Sequence, residues 1–382
     1  MTGIALLGST GSIGRQTLDV VRAAPDRYEL KALAAGHADH DFQAQVRDWP
    51  TASVWAAEGL IPDLEWVRWA NGGLEELATA DGVDIVVVAT TGMTALPAVL
   101  AALRAGRRVA LANKEALVTG GHLVRAALPA GVDDALDWLR PVDSEHSAIW
   151  QCLRGERIED VARLILTASG GPFRDRDPAS LADVTPADAL AHPTWQMGPK
   201  ITIDSATLVN KAFEAIEAKW LYDLPYPRID AVLHPGSIVH SLVEFVDGSF
   251  KAQLGLPDMR LPIQFALSYP ERHPSPARVA PPEDWKPLTF APLDPARFPA
   301  YATVRAAAEG GGNRGTVINA ADEVAISAFL VGALPFPEIA TTIERAIGRW
   351  GSDVEPGLEE IADLDAEVRG SLKGELGIGE AA

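Results

Sequence analysis

The chain has 382 residues, a formal net charge of −19 and one cysteine, Cys152. Its length exceeds what one hydrophobic core serves, so two or three domains are expected; its acidic balance argues against nucleic acid, whose phosphates need a basic surface; its lone thiol excludes an intramolecular disulfide. The composition, 47% hydrophobic and 22% charged, is that of an ordinary soluble protein. The start, Met1 to Gly8, lacks the basic residues and long apolar run of a signal peptide. A cytoplasmic protein with no membrane or nucleic-acid partner is the expectation.

Ile4 to Leu7 reads as a short buried strand, Gly8 to Gly14 as a tight turn, and Gln16 to Ala24 as a helix. The turn, Gly8-Ser9-Thr10-Gly11-Ser12-Ile13-Gly14, follows a strand and opens a helix. That is the setting of a dinucleotide phosphate site, although the spacing is G-x-x-G-x-x-G and not the commoner G-x-G-x-x-G. The second strand, Tyr28 to Ala35, ends in Gly36-His37-Ala38 with no acid at its tip. This favours NADP over NAD, because a carboxylate there repels a 2′-phosphate; Asp39 and Asp41 follow closely. The uncharged run Ile85 to Leu103 is long enough to span a membrane, but Gly92, Pro97 and three threonines break it into a strand, a turn and a helix beginning near Ala95. Arg108 to Ala112 is another strand, ending in Asn113-Lys114-Glu115, where ligands of parallel sheets bind. Strands alternating with helices imply a parallel sheet covered on both faces.

Asp143 and Glu145 lie two apart, so in an extended segment both point to one side. Asn210, Lys211 and Glu214 share a helix face opposite the apolar Val209, Phe213, Ile216 and Trp220, and are expected to face outward. Three carboxylates beside an ammonium and an amide suit Mg²⁺ or Mn²⁺ holding an anionic, oxygen-rich ligand. Leu164 to Thr167, Ala231 to Leu233, Val239 to Phe245 and Phe250 to Leu254 read as strands, with a hairpin at Asp247-Gly248. His192 to Gly198 carries Trp195 and Met197 between Pro193 and Gly198, the texture of a closing loop. Residues 270–299 hold nine prolines interleaved with Trp285, Leu288, Phe290, Leu293 and Phe298, which suggests an extended strap packed on the surface. Tyr301 to Glu309, Gly315 to Leu330 and Pro335 to Arg349 suggest a small helical bundle. The expected fold is therefore α/β: a Rossmann-like parallel-sheet domain (1–139), an α+β catalytic domain (140–269), the strap (270–299) and a C-terminal helical bundle (300–382).

The segments GSTGSIG, ANKEALV, PVDSEHSAI, SGGPFR, HPTWQMGPKITIDSATLVNKAFEAIEA, HPGSIVHS, QLGLPDMRLPI and NAADEVA, in this order from residue 8 to about 325, resemble the 1-deoxy-D-xylulose 5-phosphate reductoisomerase family. The resemblance implies a homodimeric enzyme of the methylerythritol phosphate route to isoprenoids, using NADPH and one divalent cation, Mg²⁺ or Mn²⁺, on a sugar phosphate. It assigns Thr10, Gly11, Ser12, Ile13, Gly36, His37, Ala38, Asn113, Glu115 and Gly198 to NADPH. Asp143, Glu145 and Glu214 fall to the metal. Lys114, Ser144, Glu145, Ser169, His192, Ser205, Asn210, Lys211 and Glu214 fall to the substrate. Lys114, His192 and Trp195 join the metal ligands as catalytic residues, with Trp195 and Met197 on the closing loop. Many relatives carry Lys or Ser then Asn where this chain has His37-Ala38, which leaves the 2′-phosphate contact open. Two rival readings are a semialdehyde-type dehydrogenase, which needs a nucleophilic cysteine, and a non-enzymatic NADP sensor, which has no use for three carboxylates.

Overall fold

The computed structural model describes residues 1–59, 68–131, 134–191 and 197–379. The first half of the chain runs β1 (Thr2–Leu7), α1 (Ser12–Ala23), β2 (Tyr28–His37), α2 (His40–Asp48), β3 (Ser53–Glu58), β4 (Arg68–Trp69), α3 (Gly73–Thr79), β5 (Ile85–Val88), α4 (Leu96–Arg104), β6 (Arg108–Leu111), α5 (Glu115–Ala127), β7 (Leu139–Pro141) and α6 (Ser144–Leu153). Then follow β8 (Val161–Ala168), α7 (Pro186–Leu190), α8 (Pro199–Thr207), α9 (Val209–Tyr222), β9 (Ile229–Leu233), β10 (Val239–Phe245), β11 (Phe250–Leu254), α10 (Arg260–Ser268), β12 (Ala291–Pro292), α11 (Pro299–Glu309), α12 (Arg314–Leu330), α13 (Glu338–Trp350) and α14 (Leu358–Leu376).

These elements form two compact units. One comprises Met1–Ala116, Leu123–Gln151 and Asp258–Val279; the other comprises Leu117–His122, Cys152–Pro257 and the chain from Ala280 onward. This division differs from the four segments expected: β7, most of α6 and residues 258–279 group with the N-terminal sheet. The reason is packing. The Arg140 guanidinium donates to the Ala266 carbonyl of α10 at 2.8 Å, the Gln264 amide to the Tyr28 hydroxyl at 3.3 Å, and Trp150 packs against Phe265 and Tyr269 with ring centroids 4.6 and 4.7 Å apart.

The first unit is built on a seven-stranded sheet of order β4-β3-β2-β1-β5-β6-β7, parallel at every junction. Its central strands are near-continuous runs of buried Ile, Leu, Val and Ala, as a sheet covered on both faces requires. The run from Ile85 is indeed a strand, a turn and a helix. No helix among the described residues is long and apolar enough to cross a membrane. The order reverses direction beside β1, and the glycine turn after β1 lies at that switch point. Gly8 has φ +89°, and a Cβ there would stand 2.5 Å from the Ala89 carbonyl oxygen beyond β5; a Cβ on Gly14 would overlap the Gly8 carbonyl. Gly11 differs: its Cβ would meet only ordinary contacts, at 3.5 Å from the Gly8 oxygen.

The second unit has a mixed sheet of order β11-β10-β8-β9-β12, with β8 and β9 parallel and the other pairs antiparallel. The Asp247-Gly248 hairpin forms as expected, with Gly248 at φ +83°. The proline-rich stretch contributes β12 as an edge strand, stacks Phe290 on His234 (4.8 Å between centroids) and buries Phe298. The helices α11 to α14 share a core with α8 and α9 that includes Val209, Phe213, Ile216, Val304, Val317, Phe329 and Ile343.

The three glycines of the turn therefore answer to different demands. Gly8→Ala and Gly14→Ala are each expected to cost about 2–3 kcal/mol of unfolding free energy through strain and overpacking. Gly11→Ala should cost less than about 1 kcal/mol, the scale of a helix-cap change. Denaturant titration of the three variants decides it; equal losses would remove the distinction.

Candidate active site

Because all seven strands of the first sheet run the same way, their carboxyl ends lie on one edge. On that edge stand the glycine turn after β1, His37 at the end of β2, Glu58 at the end of β3, Thr90 to Gly92 after β5, Asn113 and Lys114 after β6, and Asp143 after β7. The N-terminus of α1 has Gly11 as its cap residue and no side-chain cap, so its first amides are left for an anion. Gly36 is exposed, and nothing lies within 4 Å of where its Cβ would stand. The glycine turn thus has an uncapped helix end and, at Gly11, room that the fold itself does not require.

Asn113 is 1% exposed. Its amide nitrogen donates to the carbonyls of Thr90 (3.0 Å) and Gly92 (2.8 Å) and lies 3.0 Å from the Glu115 carboxylate, while its oxygen accepts from the Ala116 amide at 2.9 Å. Asn113 therefore ties the β5 and β6 loops together and fixes the start of α5. The Lys114 ammonium donates to Asp143 Oδ2 at 2.6 Å, both side chains being nearly buried. The extended segment in which Asp143 and Glu145 would point to one side does not form; the chain is helical from Ser144. The Asp143 carbonyl accepts from the Ser147 amide at 2.8 Å, so Asp143 caps α6 and Glu145 sits in its first turn. Both carboxylates are thus placed where the helix dipole favours negative charge. The Ser144 hydroxyl donates to Glu145 Oε2 at 2.5 Å.

In the second unit, Asn210, Lys211 and Glu214 share one face of α9 as their spacing predicts. The expected outward orientation is wrong: Lys211 is 3% and Glu214 0% exposed. The opposite face of α9 packs into the helical core, and this face meets the sheet, where the Lys211 ammonium donates to the Thr167 carbonyl at 2.7 Å. Charge is tolerated there because it is paired: Glu214 accepts from the Asn210 amide at 2.6 Å and from Lys211 at 2.5 Å. Leu208, between α8 and α9, is held at φ +59° although it is not glycine, and it is 2% exposed. After β8, Gly171 has φ +66°, and a Cβ there would come within 2.5 Å of the Ser205 carbonyl oxygen. The Ser169-Gly170-Gly171 turn thus lies directly against Ser205 on α8. Met197 and Gly198 immediately precede α8, and Gly198 caps it. His192 and Trp195 lie outside the described residues.

Cys152 is 7% exposed, and burial pushes its thiol up to about 11 against the opposing effect of the Lys251 charge. A neutral, buried thiol at neutral pH is no nucleophile.

Within the first unit, then, the fold is a doubly wound nucleotide-binding sheet with a lysine–carboxylate pair on its ligand edge; the second unit adds a buried cluster of amide, ammonium and carboxylate. Family models described as 1-deoxy-D-xylulose 5-phosphate reductoisomerase, its C-terminal domain, and DXP reductoisomerase C-terminal domain match residues 4–121, 139–222 and 254–371. A 1-deoxy-D-xylulose 5-phosphate reductoisomerase of Thermomicrobium roseum is 51% identical over 377 residues, 96% of each chain. One of Geobacillus kaustophilus is 47% identical over 385 residues, covering 98% of this chain and 99% of the other. A crystal structure of DOX-P reductoisomerase in complex with NADPH, fosmidomycin and magnesium superposes with a TM-score of 0.87 at 35% identity, covering 99% of this chain and 98% of that one. The Zymomonas mobilis reductoisomerase in complex with NADPH gives 0.83 at 35% identity, covering 98% and 99%. The chain belongs to the 1-deoxy-D-xylulose 5-phosphate reductoisomerase family.

Sequence reasoning passed over one further charged group. Lys200, in the first turn of α8, lies 2.8 Å from Asp204 and 3.1 Å from Asp322 of α12, and both carboxyls are almost wholly buried. Burial pushes both above the usual carboxylate range; for Asp204 the neighbouring Asp322 adds to this, and Lys200 works against it in both. A folded-state value above the unfolded one means that the native state holds more protons in between, so stability falls as pH rises through that window. Asp204→Asn removes the Asp204 share of this dependence. It is expected to raise the denaturation midpoint relative to the parent chain at pH 8 but not at pH 4. Parallel urea titrations check it; the same difference at both pH values would contradict it.

Proposed function

We propose that this chain converts 1-deoxy-D-xylulose 5-phosphate to 2-C-methyl-D-erythritol 4-phosphate, by rearrangement and NADPH-dependent reduction with a divalent metal, in the non-mevalonate route to isoprenoids. The observation that carries the reading is a glycine-opened, uncapped nucleotide turn sharing one sheet edge with Lys114 and Asp143, in a chain matching named reductoisomerases over nearly its whole length. NADPH is assigned to the edge of segment 1–139: Thr10, Gly11, Ser12 and Ile13 at its phosphates, with Gly36, His37, Ala38, Asn113 and Glu115 around it; Gly198, before α8, joins the set on the family resemblance. Gly11 supports this, since the fold leaves room for a side chain there and a close phosphate contact accounts for its absence.

Asp143, Glu145 and Glu214 are the residues we assign to the metal. All three offer hard oxygen, which suits Mg²⁺ or Mn²⁺. A bound dication supplies Lewis acidity, polarising the substrate ketone and stabilising negative charge on its oxygens. Lys114 offers a proton donor beside Asp143, and Ser144 orients the Glu145 carboxylate. Ser169, Ser205, Asn210 and Lys211 bring two hydroxyls, an amide and an ammonium for the substrate phosphate. His192 and Trp195 join the set on the sequence alone. A cytoplasmic homodimer is the setting we propose, in keeping with the family resemblance and a single cysteine. A dehydrogenase working through Cys152 is disfavoured by the buried, neutral state of that thiol.

Replacing Asp143, Glu145 or Glu214 by Ala is expected to abolish turnover of the ketose phosphate while NADPH affinity changes by less than about threefold, because no metal ligand belongs to the glycine turn. EDTA should act likewise and reversibly, and full activity in a metal-free preparation would sink the assignment. Gly11→Ala, tolerated by the fold, should weaken NADPH binding about tenfold, the cost of one lost close phosphate contact. Nicotinamide fluorescence measures it; unchanged affinity would remove Gly11 from the site.

A further inference from the structure

The tip of β2 is poorly equipped for a dianion. The His37 imidazole lies 3.1 Å from the Glu58 carboxylate, and both side chains are largely exposed, at 70% and 74%. The pairing follows from the sheet register, which places His37 opposite Glu58 of β3. An imidazole is a cation only when protonated, and here a phosphate would meet the carboxylate as well. Ala38 has only its backbone amide, which donates to the Glu58 carbonyl at 2.8 Å.

A permanent cation stands nearby on another element. Arg15, in the first turns of α1, donates Nε–H to the Thr10 carbonyl at 2.8 Å and Nη2–H to Asp41 Oδ2 at 2.7 Å. Its guanidinium therefore spans from the glycine turn to the start of α2, the segment that follows the β2 tip. Its side chain is 59% exposed, and these two bonds leave most of its five N–H donors for another acceptor. The other charged groups of this stretch, from the tip of β2 to the start of α2, are Asp39, spent as the cap of α2 on the Phe42 amide; His40, 3.8 Å from Asp41; and His37, paired with Glu58.

We infer that Arg15, and not His37, recognises the 2′-phosphate of the nicotinamide dinucleotide, with Asp41 and the Thr10 carbonyl fixing the guanidinium in place. This rests on the NADPH reading above. A planar fork that never loses its charge is the group best matched to a phosphate, and two anchors already orient it. Glu58 opposes the same phosphate and restrains the preference.

The test uses the intact enzyme and two fragments, adenosine 2′,5′-bisphosphate and 5′-AMP, titrated calorimetrically. The parent chain should favour the bisphosphate. Arg15→Met should lower its affinity about tenfold or more, the scale of a lost charge-assisted hydrogen bond, while leaving 5′-AMP unchanged. Arg15→Lys should fall between. His37→Gln should change the ratio less than about threefold, and Glu58→Gln should raise it. Between pH 7 and 9 the parent's ratio should stay flat, because the guanidinium does not titrate there. A ratio that survives Arg15→Met but collapses in His37→Gln overturns the inference. Equal loss of both fragments in Arg15→Met and Arg15→Lys would make Arg15 a support of the turn, which also overturns it. A parent chain that binds both fragments alike removes the NADPH reading itself and the inference with it.

Discussion

Strand direction in the seven-stranded sheet is the constraint on which the site depends. A parallel strand needs a crossover before the next can join it, usually a helix packed on a face of the sheet, which returns the chain to the starting edge. Seven strands in one direction therefore deliver seven carboxyl ends to one edge. The chain uses this economically: short polar groups follow directly on apolar strands, so Asn113, Lys114 and Asp143 are positioned by rigid backbone and not by long loops. Asn113 shows how the edge is made stiff. Its side chain closes the gap between the loops after β5 and β6, and a ligand meets a surface already ordered.

The second unit reaches the same end by a different route. There the site residues sit on two helices and a turn, packed where backbones approach closely. Gly171 lies against the Ser205 carbonyl, and Leu208 takes a left-handed conformation between two helices without being glycine. A buried leucine held there costs on the order of 1–2 kcal/mol, and it persists only if its surroundings leave no alternative. Its burial in the helical core supplies that, with Val209 and Phe213 beside it. The strained turn redirects α8 into α9, and the residues on either side of it, Ser205 and Asn210, are the ones assigned to the substrate.

Much of this was legible in the sequence because the strong signals were local. Runs such as Ile85 to Val88 announce buried strands, and glycine spacing announces the turn. The helix face of Asn210, Lys211 and Glu214 follows from periodicity alone. What periodicity does not carry is what covers a face, so α9 read as half-exposed although both of its sides are buried. The Asp143–Glu145 pair, two residues apart, suits an extended segment as well as a helix start, and the helix beginning at Ser144 owes its start to the Asp143 cap. Strand β3 escaped notice because Ser53 to Glu58 alternates weakly, and with it went the position of Glu58 opposite His37. Lys200, Asp204 and Asp322 were invisible as a group, since 118 residues separate the last two. Contacts of that separation are set by packing, not by local pattern.

A chain of net charge −19 that binds a dinucleotide and a sugar phosphate must solve an electrostatic problem locally. At physiological ionic strength exposed charges more than about 8 Å away are largely screened, so the distant acidic surface matters little to a bound anion. The groups that matter are within hydrogen-bond reach. Here each basic side chain assigned to an anion is held by an oxygen neighbour: Lys114 by Asp143, Lys211 by Glu214 and the Thr167 carbonyl, Arg15 by Asp41 and the Thr10 carbonyl. Such pairing lowers the cost of burying the two lysines and fixes where all three cations point. It also weakens each cation's pull at a distance, which suits a site that selects by shape and hydrogen bonding at contact and does not gather anions indiscriminately from solution.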